Sequence, residues 1–277
     1  MKISTRNTNP NFTIVLPGPC QANCDFCFWK REDEEGAFLK SLKRVLKKLP
    51  ANFTQISISG GEPTLSPVFD KTMEIIKKFK EKGKFNKVVL TTNGINLLKK
   101  DLTGINHINI SRHHVNDKIN QKIFKTENIP SFSELPEINN YVNKFGIDIN
   151  YNVVFVDDNE DIDYDAWVDF VKATDATSVT FRNQYGIYET SFLEKKVLED
   201  NYLPNLISTC PVCRTASYFI SGVKFKFHSS AYEPTESKEF AEDETYELVL
   251  HPTGDLTRDW EAKKIILKRK ESKWLIG

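Results

Sequence analysis

An α/β fold built on a parallel sheet is predicted by three observations. Short aliphatic runs alternate six times with stretches whose apolar residues recur at helical spacing. Pro17-Gly18-Pro19, Gly60-Gly61 and Asn93-Gly94 each close one of those runs, as turn residues close strands. The 277 residues suffice for one large α/β domain and a short extension. The alternation stops after Glu189, so residues 1–189 are expected to form the core and 190–277 a smaller extension.

Phe12–Leu16 reads as the first strand, and Pro17 turns it into a loop carrying Cys20, Cys24 and Cys27. From Ala37 to Leu49, Phe38, Leu42, Val45 and Leu49 share a helical face while Lys40, Lys43, Lys47 and Lys48 take the other. That basic face could attract phosphate, but a solvated helix surface is the simpler reading. Thr54–Ser59 is the second strand, Val68–Lys82 a second helix with Met73 in its buried stripe, and Asn86–Thr92 the third strand. His107–Ser111 and Asp148–Phe155 read as the fourth and fifth strands. A helix marked by Tyr164, Trp167 and Phe170 leads to the sixth, Ser178–Arg182. In the extension, Val223–Phe227 and Tyr246–His251 are strand-like and flank turns at Ser221-Gly222 and Thr253-Gly254-Asp255. This segment is expected to be a β-rich cap over the open side of the core.

Composition narrows the classes of function. Acidic and basic residues balance at 38 each, which removes the positive field of a general nucleic-acid binder. No run approaches the roughly 18 apolar residues of a membrane span, and the opening lacks the apolar segment of a signal peptide. A cytoplasmic location is expected. Five cysteines, three in one loop and two as Cys210-Pro-Val-Cys213, suit metal binding in a reducing compartment better than disulfides.

The C-x3-C-x2-C triplet supplies three thiolates, which can bind three irons of a [4Fe-4S] cluster and leave the fourth open. A zinc knuckle or buried thiols are the alternatives, although zinc sites usually bring two cysteine pairs. Gly60-Gly61-Glu62-Pro63 stands where a strand ends and the backbone can approach a ligand closely.

These two motifs, in this order, resemble the radical S-adenosylmethionine (SAM) enzymes. The resemblance covers Phe12 to Arg182 and implies a partial (β/α)6 barrel with a small β-rich C-terminal extension. It also implies a [4Fe-4S] cluster on Cys20, Cys24 and Cys27, with SAM chelating the open iron and cleaved reductively to a 5'-deoxyadenosyl radical. By the same resemblance Phe26 lies near the adenine, and Gly60, Gly61, Glu62 and Pro63 hold the SAM amino group. Thr92 and Asn93 face SAM from the third strand, Ser111 contacts its ribose, and Arg112 grips its carboxylate. Asn152 is similar to the fifth-strand asparagine of the molybdenum-cofactor GTP cyclase and viperin-like branches, and Arg182 to a sixth-strand residue that faces SAM. His113 and His114 are read as loop polars rather than proton-transfer groups.

Cys210-x2-Cys213 resembles the auxiliary-cluster region of some branches but lacks the further cysteine those branches carry. A second metal site there, a zinc site with His228 and His251, and a plain thiol pair all stay open; either cysteine is also a candidate hydrogen donor to a substrate radical. Tyr185, Tyr188 and Tyr218 are candidates by chemistry alone. The expected partners are a small nucleotide-like substrate or a peptide, and an electron donor such as flavodoxin or ferredoxin. An iron–sulfur sensor that binds SAM without cleaving it is the non-enzymatic alternative.

Overall fold

A computed structural model describes residues 11–27, 35–49, 53–159, 162–184, 206–209, 215–228, 247–258, 260 and 265–267. Its core strands are β1 (Asn11–Leu16), β2 (Gln55–Gly60), β3 (Lys87–Thr92), β4 (His107–Ser111), β5 (Asp148–Val154) and β6 (Ser178–Arg182). The helices are α1 (Glu35–Lys48), α2 (Phe69–Glu81), α3 (Asp117–Phe124), α4 (Leu135–Asn143) and α5 (Tyr164–Ala173). The extension adds β7 (Leu206–Thr209), β8 (Ala216–Ile220), β9 (Val223–His228), β10 (Glu247–Leu250), β11 (Leu256–Thr257) and β12 (Ile265–Leu267).

The strands form one twelve-stranded sheet in the order β12-β11-β10-β1-β2-β3-β4-β5-β6-β9-β8-β7. Strands β1 to β6 are parallel neighbours in sequence order, as right-handed βαβ crossovers produce. The extension lengthens this core on both sides: β9 pairs parallel with β6, and β10 pairs parallel with β1. A separate cap over the core is therefore not what these strands build. They are hydrogen-bonded into the core sheet, and the β8–β9 hairpin turns at Ser221 and Gly222, both at positive φ (49° and 86°), as a tight two-residue hairpin requires.

The two faces of the sheet differ in chemistry. Ile108, Ile110, Ile149, Tyr151, Val179 and Phe181 pack with Phe38, Leu42, Phe69 and Phe170 of the helices in one continuous core. Burying each such aliphatic or aromatic side chain contributes about 1.5–3 kcal/mol. The alternate positions carry Asn109, Asn150, Asn152, Ser178, Thr180 and Lys226, and their side chains bond to one another along the opposite face. A parallel sheet covered on both faces would be apolar throughout; here the face away from the helices is polar.

Helices α3 and α4 were not foreseen from periodicity. They are 8 and 9 residues long, too short for an amphipathic repeat to stand out. Local chemistry starts α3: the Asn116 carboxamide accepts from the Lys118 and Ile119 amides, a cap that contributes about 1 kcal/mol. Lys125, at φ 55°, ends it in the left-handed conformation.

Candidate cofactor site

Because β1 to β6 run parallel, the residues that follow them meet at one end of the sheet, where α/β folds place their sites. The cysteine loop follows β1, Gly61 to Pro63 follow β2, Thr92 and Asn93 end β3, Ser111 and Arg112 end β4, and Arg182 ends β6.

The cysteine loop is stitched to α3 and the segment after it. The Asn23 amide donates to the Phe124 carbonyl at 2.9 Å, Gln21 Nε2 donates to the Asn128 carbonyl at 3.1 Å, and Lys125 pairs with Asp25. Ala22, Phe124 and Ile129 make a small apolar cluster against which Cys20 and Cys24 pack. Burial, followed by the neighbouring Cys27 and Cys20, pushes the Cys24 thiol up to about 12. Cys27 and Cys20 are therefore close enough to act on Cys24, and coordination to metal reverses such a shift. Among the described residues no three Cys, His, Asp or Glu side chains gather around a single-ion position. A [4Fe-4S] cluster takes each thiolate on a different iron, and three cysteines in one loop are the donor set that such a cluster needs.

The glycine motif packs directly on that loop. A Cβ on Gly61 would stand 3.0 Å from the Pro19 carbonyl oxygen, and one on Gly60 2.8 Å from the Leu16 carbonyl oxygen. The Glu62 amide donates to Pro19 O at 3.0 Å. These glycines therefore let the second strand's end lie against the cysteine loop.

Glu62 itself is buried. Its Oε1 accepts from the Thr64 amide (2.9 Å), Thr64 Oγ1 (2.7 Å) and Thr92 Oγ1 (2.5 Å), and its Oε2 from the Asn93 amide (2.7 Å). Burial pushes its carboxyl above the ordinary value, while the Asn93, Thr92 and Thr64 donors pull the other way. The carboxylate binds the ends of β2 and β3 together and keeps acceptor capacity on Oε2. Pro63 opens the short turn that Glu62 caps. Asn93 Nδ2 lies 4.0 Å from Cys20 Sγ, a contact that ties the third strand to the cysteine loop.

Phe26 stands edge-on to His113, ring centroids 5.0 Å apart, and His113 packs on Phe124 at 4.7 Å. His113 is buried; its Nδ1 accepts from the Val154 amide at 3.1 Å, which leaves the proton on Nε2. Burial and then the Arg112 charge lower it to about 3, so it is neutral at physiological pH. It is a fixed partner of the cysteine loop's aromatic residue rather than a loose loop polar.

Arg112 departs from expectation. Its Nε donates to His114 O (2.8 Å), Nη1 to Pro130 O (3.1 Å), and Nη2 to Val115 O (2.9 Å) and Asp117 Oδ1 (2.5 Å). The guanidinium also lies 5.1 Å from the Phe170 ring. The side chain is 2% exposed and each of its three nitrogens donates to protein, so this geometry corrects the reading of Arg112 as a carboxylate grip. It joins the β4 end to α3 and the 130 segment, the support on which the cysteine loop rests.

Ser111 is half-buried and level with Asn152 in the sheet register. Arg182 is level with His228 on β9, and its Nε is buried without a hydrogen-bond partner. Its charge reaches Glu247 of β10, a buried carboxylate that accepts from Asn11 Nδ2 (2.8 Å), Thr13 Oγ1 (2.6 Å) and Trp260 Nε1 (2.8 Å). Cys210, Cys213, Tyr185 and Tyr188 lie outside the described residues. His251, considered as a zinc ligand, is buried with Nε2 2.7 Å from Thr257 Oγ1.

Sequence reasoning missed Glu247, Lys226, Asn109 and Asn150. The signal was present as polar residues at every second position of strands whose other positions are Ile, Val and Phe.

Residues 14–171 match the Radical SAM superfamily. The chain is 30% identical over 138 residues to an S-adenosylmethionine-dependent nucleotide dehydratase of Flammeovirga pacifica, covering 46% of each chain. It is 32% identical over 117 residues to a probable GTP 3',8-cyclase of Saccharolobus islandicus, covering 40% of this chain and 37% of that one. The chain thus spans less than half the length of these curated relatives. Among solved structures, Streptococcus suis SuiB bound to S-adenosylmethionine superposes with TM-score 0.60 at 19% identity, over 91% of this chain and 60% of that one. AnSMEcpe with bound AdoMet superposes with TM-score 0.56 at 18% identity, over 94% and 78%. These likenesses establish the fold as that of the partial barrels, and with more than half of its length inside the matched family, the chain belongs to the radical SAM superfamily.

Proposed function

We propose that the protein is a radical SAM enzyme acting on a small nucleotide-like substrate. One observation carries the enzymatic reading: the Gly60-Gly61-Glu62 turn packs on the cysteine loop at the C-terminal ends of the parallel strands. Cys20, Cys24 and Cys27 would hold a [4Fe-4S] cluster, which supplies the electron that cleaves SAM to a 5'-deoxyadenosyl radical. The chain's own part is to position and protect. Ala22, Phe124 and Ile129 keep water from one side of the thiols, His113 holds Phe26, and Glu62 locks the strand ends around the cofactors. The remaining Oε2 capacity of Glu62 and the backbone of Gly60 and Gly61 suit the SAM amino group. Asn152, Ser111, Thr92, Asn93, Pro63 and Arg182 belong to the same strand ends.

The nucleotide reading is supported by the two relatives named as nucleotide dehydratase and GTP cyclase and by the polar face of the sheet. A low-potential donor of the flavodoxin or ferredoxin type would reduce the cluster. Among the described residues no helix is long and apolar enough to cross a membrane.

The test is deoxyadenosine release by anaerobically reconstituted protein given SAM and a strong reductant, with a nucleotide pool, with a peptide pool, and alone. Stimulation by nucleotides is expected, with loss of release in Cys20→Ala, Cys24→Ala or Cys27→Ala. Full release from any of these variants refutes the cluster assignment. Stimulation by peptides alone moves the substrate to a peptide side chain. SAM bound but uncleaved under every condition identifies a sensor.

A further inference from the structure

The polar face of the sheet carries a directed chain of hydrogen bonds, and Lys226 sets its direction. An ammonium can only donate, so Asn150 must present its oxygen to Lys226 Nζ, 3.3 Å away. Ser178 Oγ (2.7 Å) and Thr180 Oγ1 (2.9 Å) donate to the same oxygen. Asn150 Nδ2 is thereby turned the other way, donating to Asn109 Oδ1 at 3.1 Å and Asn152 Oδ1 at 3.0 Å. Asn109 passes the direction on, its Nδ2 donating to Thr91 Oγ1 at 3.3 Å. Asn152 therefore spends its oxygen on the wall, and its Nδ2 has no hydrogen-bond partner among the described residues.

Lys226 is itself incompletely matched. Its ammonium meets two neutral oxygens, Asn150 Oδ1 and, at 3.2 Å, Ser178 Oγ. Among the described residues no carboxylate pairs with it; the ion pairs found there belong to Lys77, Lys100, Arg112, Lys122 and Lys125. Burial first, then the charges of Lys224 and Lys87, lower it to about 8, with Asp148 opposing. The nearby His107 is likewise lowered, to about 4, by burial and by Lys226. A half-buried cation among other cations costs stability unless an anion joins it.

Lys226 stands mid-strand on the polar face, and its Nζ turns toward the strand starts, to Ser178, the first residue of β6, so it lies deeper in the sheet than the cofactor end. Lys226 pairs with Thr180, Thr180 with Asn152, and Asn152 with Ser111 in the sheet register. The unspent carboxamide N–H group thus belongs to the residue pair that the cofactor reading places beside SAM, and the unmatched ammonium lies two strands from it, with β6 between them. Both offer donors and no acceptor.

Resting on the nucleotide reading above, we propose that Lys226, on a strand contributed by the C-terminal extension, recognises the phosphate of the substrate, with Asn152 Nδ2 as the adjoining donor. The extension thereby supplies a specificity residue to the core's site. A phosphate oxygen joins the wall as the acceptor that its terminal donors lack.

Equilibrium binding of labelled ribonucleoside triphosphates and the matching nucleosides, to cluster-reconstituted protein with SAM present, tests this alongside deoxyadenosine release. Wild type is expected to bind triphosphates more tightly than nucleosides, with inorganic tripolyphosphate competing. Lys226→Met should weaken triphosphate binding about 10- to 100-fold, the worth of a hydrogen bond to a charged group. Nucleoside binding, SAM affinity and iron content should not change, and Lys226→Arg should recover part of the loss. If Lys226→Met lowers SAM affinity or iron content, Lys226→Gln replaces it, keeping a donor to Asn150 while removing the charge.

Triphosphate binding equal to wild type in these variants, or wild-type binding that ignores phosphate, overturns the assignment of Lys226 and leaves the nucleotide reading standing. Absence of any nucleotide binding or response in wild type overturns the nucleotide reading and this inference with it.

Discussion

Arg112 and Lys226 are both cations taken out of bulk solvent by the same sheet, and their surroundings are opposite. Arg112 is enclosed by three carbonyl oxygens, the Asp117 carboxylate and the Phe170 ring. Lys226 meets two neutral side-chain oxygens and other positive charges. The contrast teaches how to separate a charge that builds structure from one that awaits a ligand. A buried cation whose every nitrogen is answered by protein, and whose charge is met by a carboxylate, is architecture; one with no carboxylate partner keeps binding capacity.

The strongest way to break this contrast is Arg112→Met. It leaves three carbonyls without their guanidinium donor and Asp117 with the Phe132 amide alone, and a loss of about 3–5 kcal/mol in denaturant unfolding is expected. Near-wild-type stability combined with lost SAM binding would return Arg112 to the ligand side.

Next in size is Gly60→Ala. With φ at 155°, an added Cβ 2.8 Å from Leu16 O would push the end of β2 away from the end of β1, from which the cysteine loop departs. The expected cost is about 1–3 kcal/mol, with reduced iron incorporation on reconstitution. An unchanged iron content would show that the loop does not depend on this contact.

His113 tests the neutral member of the Arg112 corner. Its folded value, about 3, lies below the unfolded one near 6.5. Below pH 6.5 the unfolded chain therefore takes up a proton that the folded chain refuses, and stability falls with pH until about 3. Replacing it in His113→Gln should make the pH dependence of unfolding shallower by about 1.4 kcal/mol per pH unit within that window. Parallel curves for the two proteins would place a charged imidazole in the folded state.

The smallest effect belongs to Lys226→Met, whose unfolding free energy should stay within about 1 kcal/mol of wild type. A loss as large as that of Arg112→Met would make the two cations alike and remove the basis for treating Lys226 as a ligand group.

Much of the fold was legible because its signals are local. The sixth strand spans Ser178–Arg182 as read, and the first helix keeps the Phe38, Leu42, Val45 stripe that announced it. The cysteine loop and the glycine turn were readable because their chemistry is written in consecutive residues. Arg112 was misjudged because its partners, Pro130 O and Asp117 Oδ1, sit around a helix too short to foresee. Lys226 escaped notice because its meaning depends on Asn150 and Ser178, 76 and 48 residues away. Charge in a sequence is visible, whereas the match between charges belongs to the folded chain.

The pairing of β10 with β1 also governs when the molecule can be completed. Asn11 and Glu247, neighbours in the sheet, are separated by 236 residues of chain. During synthesis the first strand can pair with the second early, yet its other edge stays unpaired until Glu247–Leu250 has been made. Such late, non-local closure slows folding and leaves an exposed strand edge open to intermolecular pairing. The same delay leaves a period in which the cysteine loop and its supporting α3 have been made while the neighbouring edge is still open. Loading of the cluster during that interval would meet a less enclosed site than the finished sheet presents.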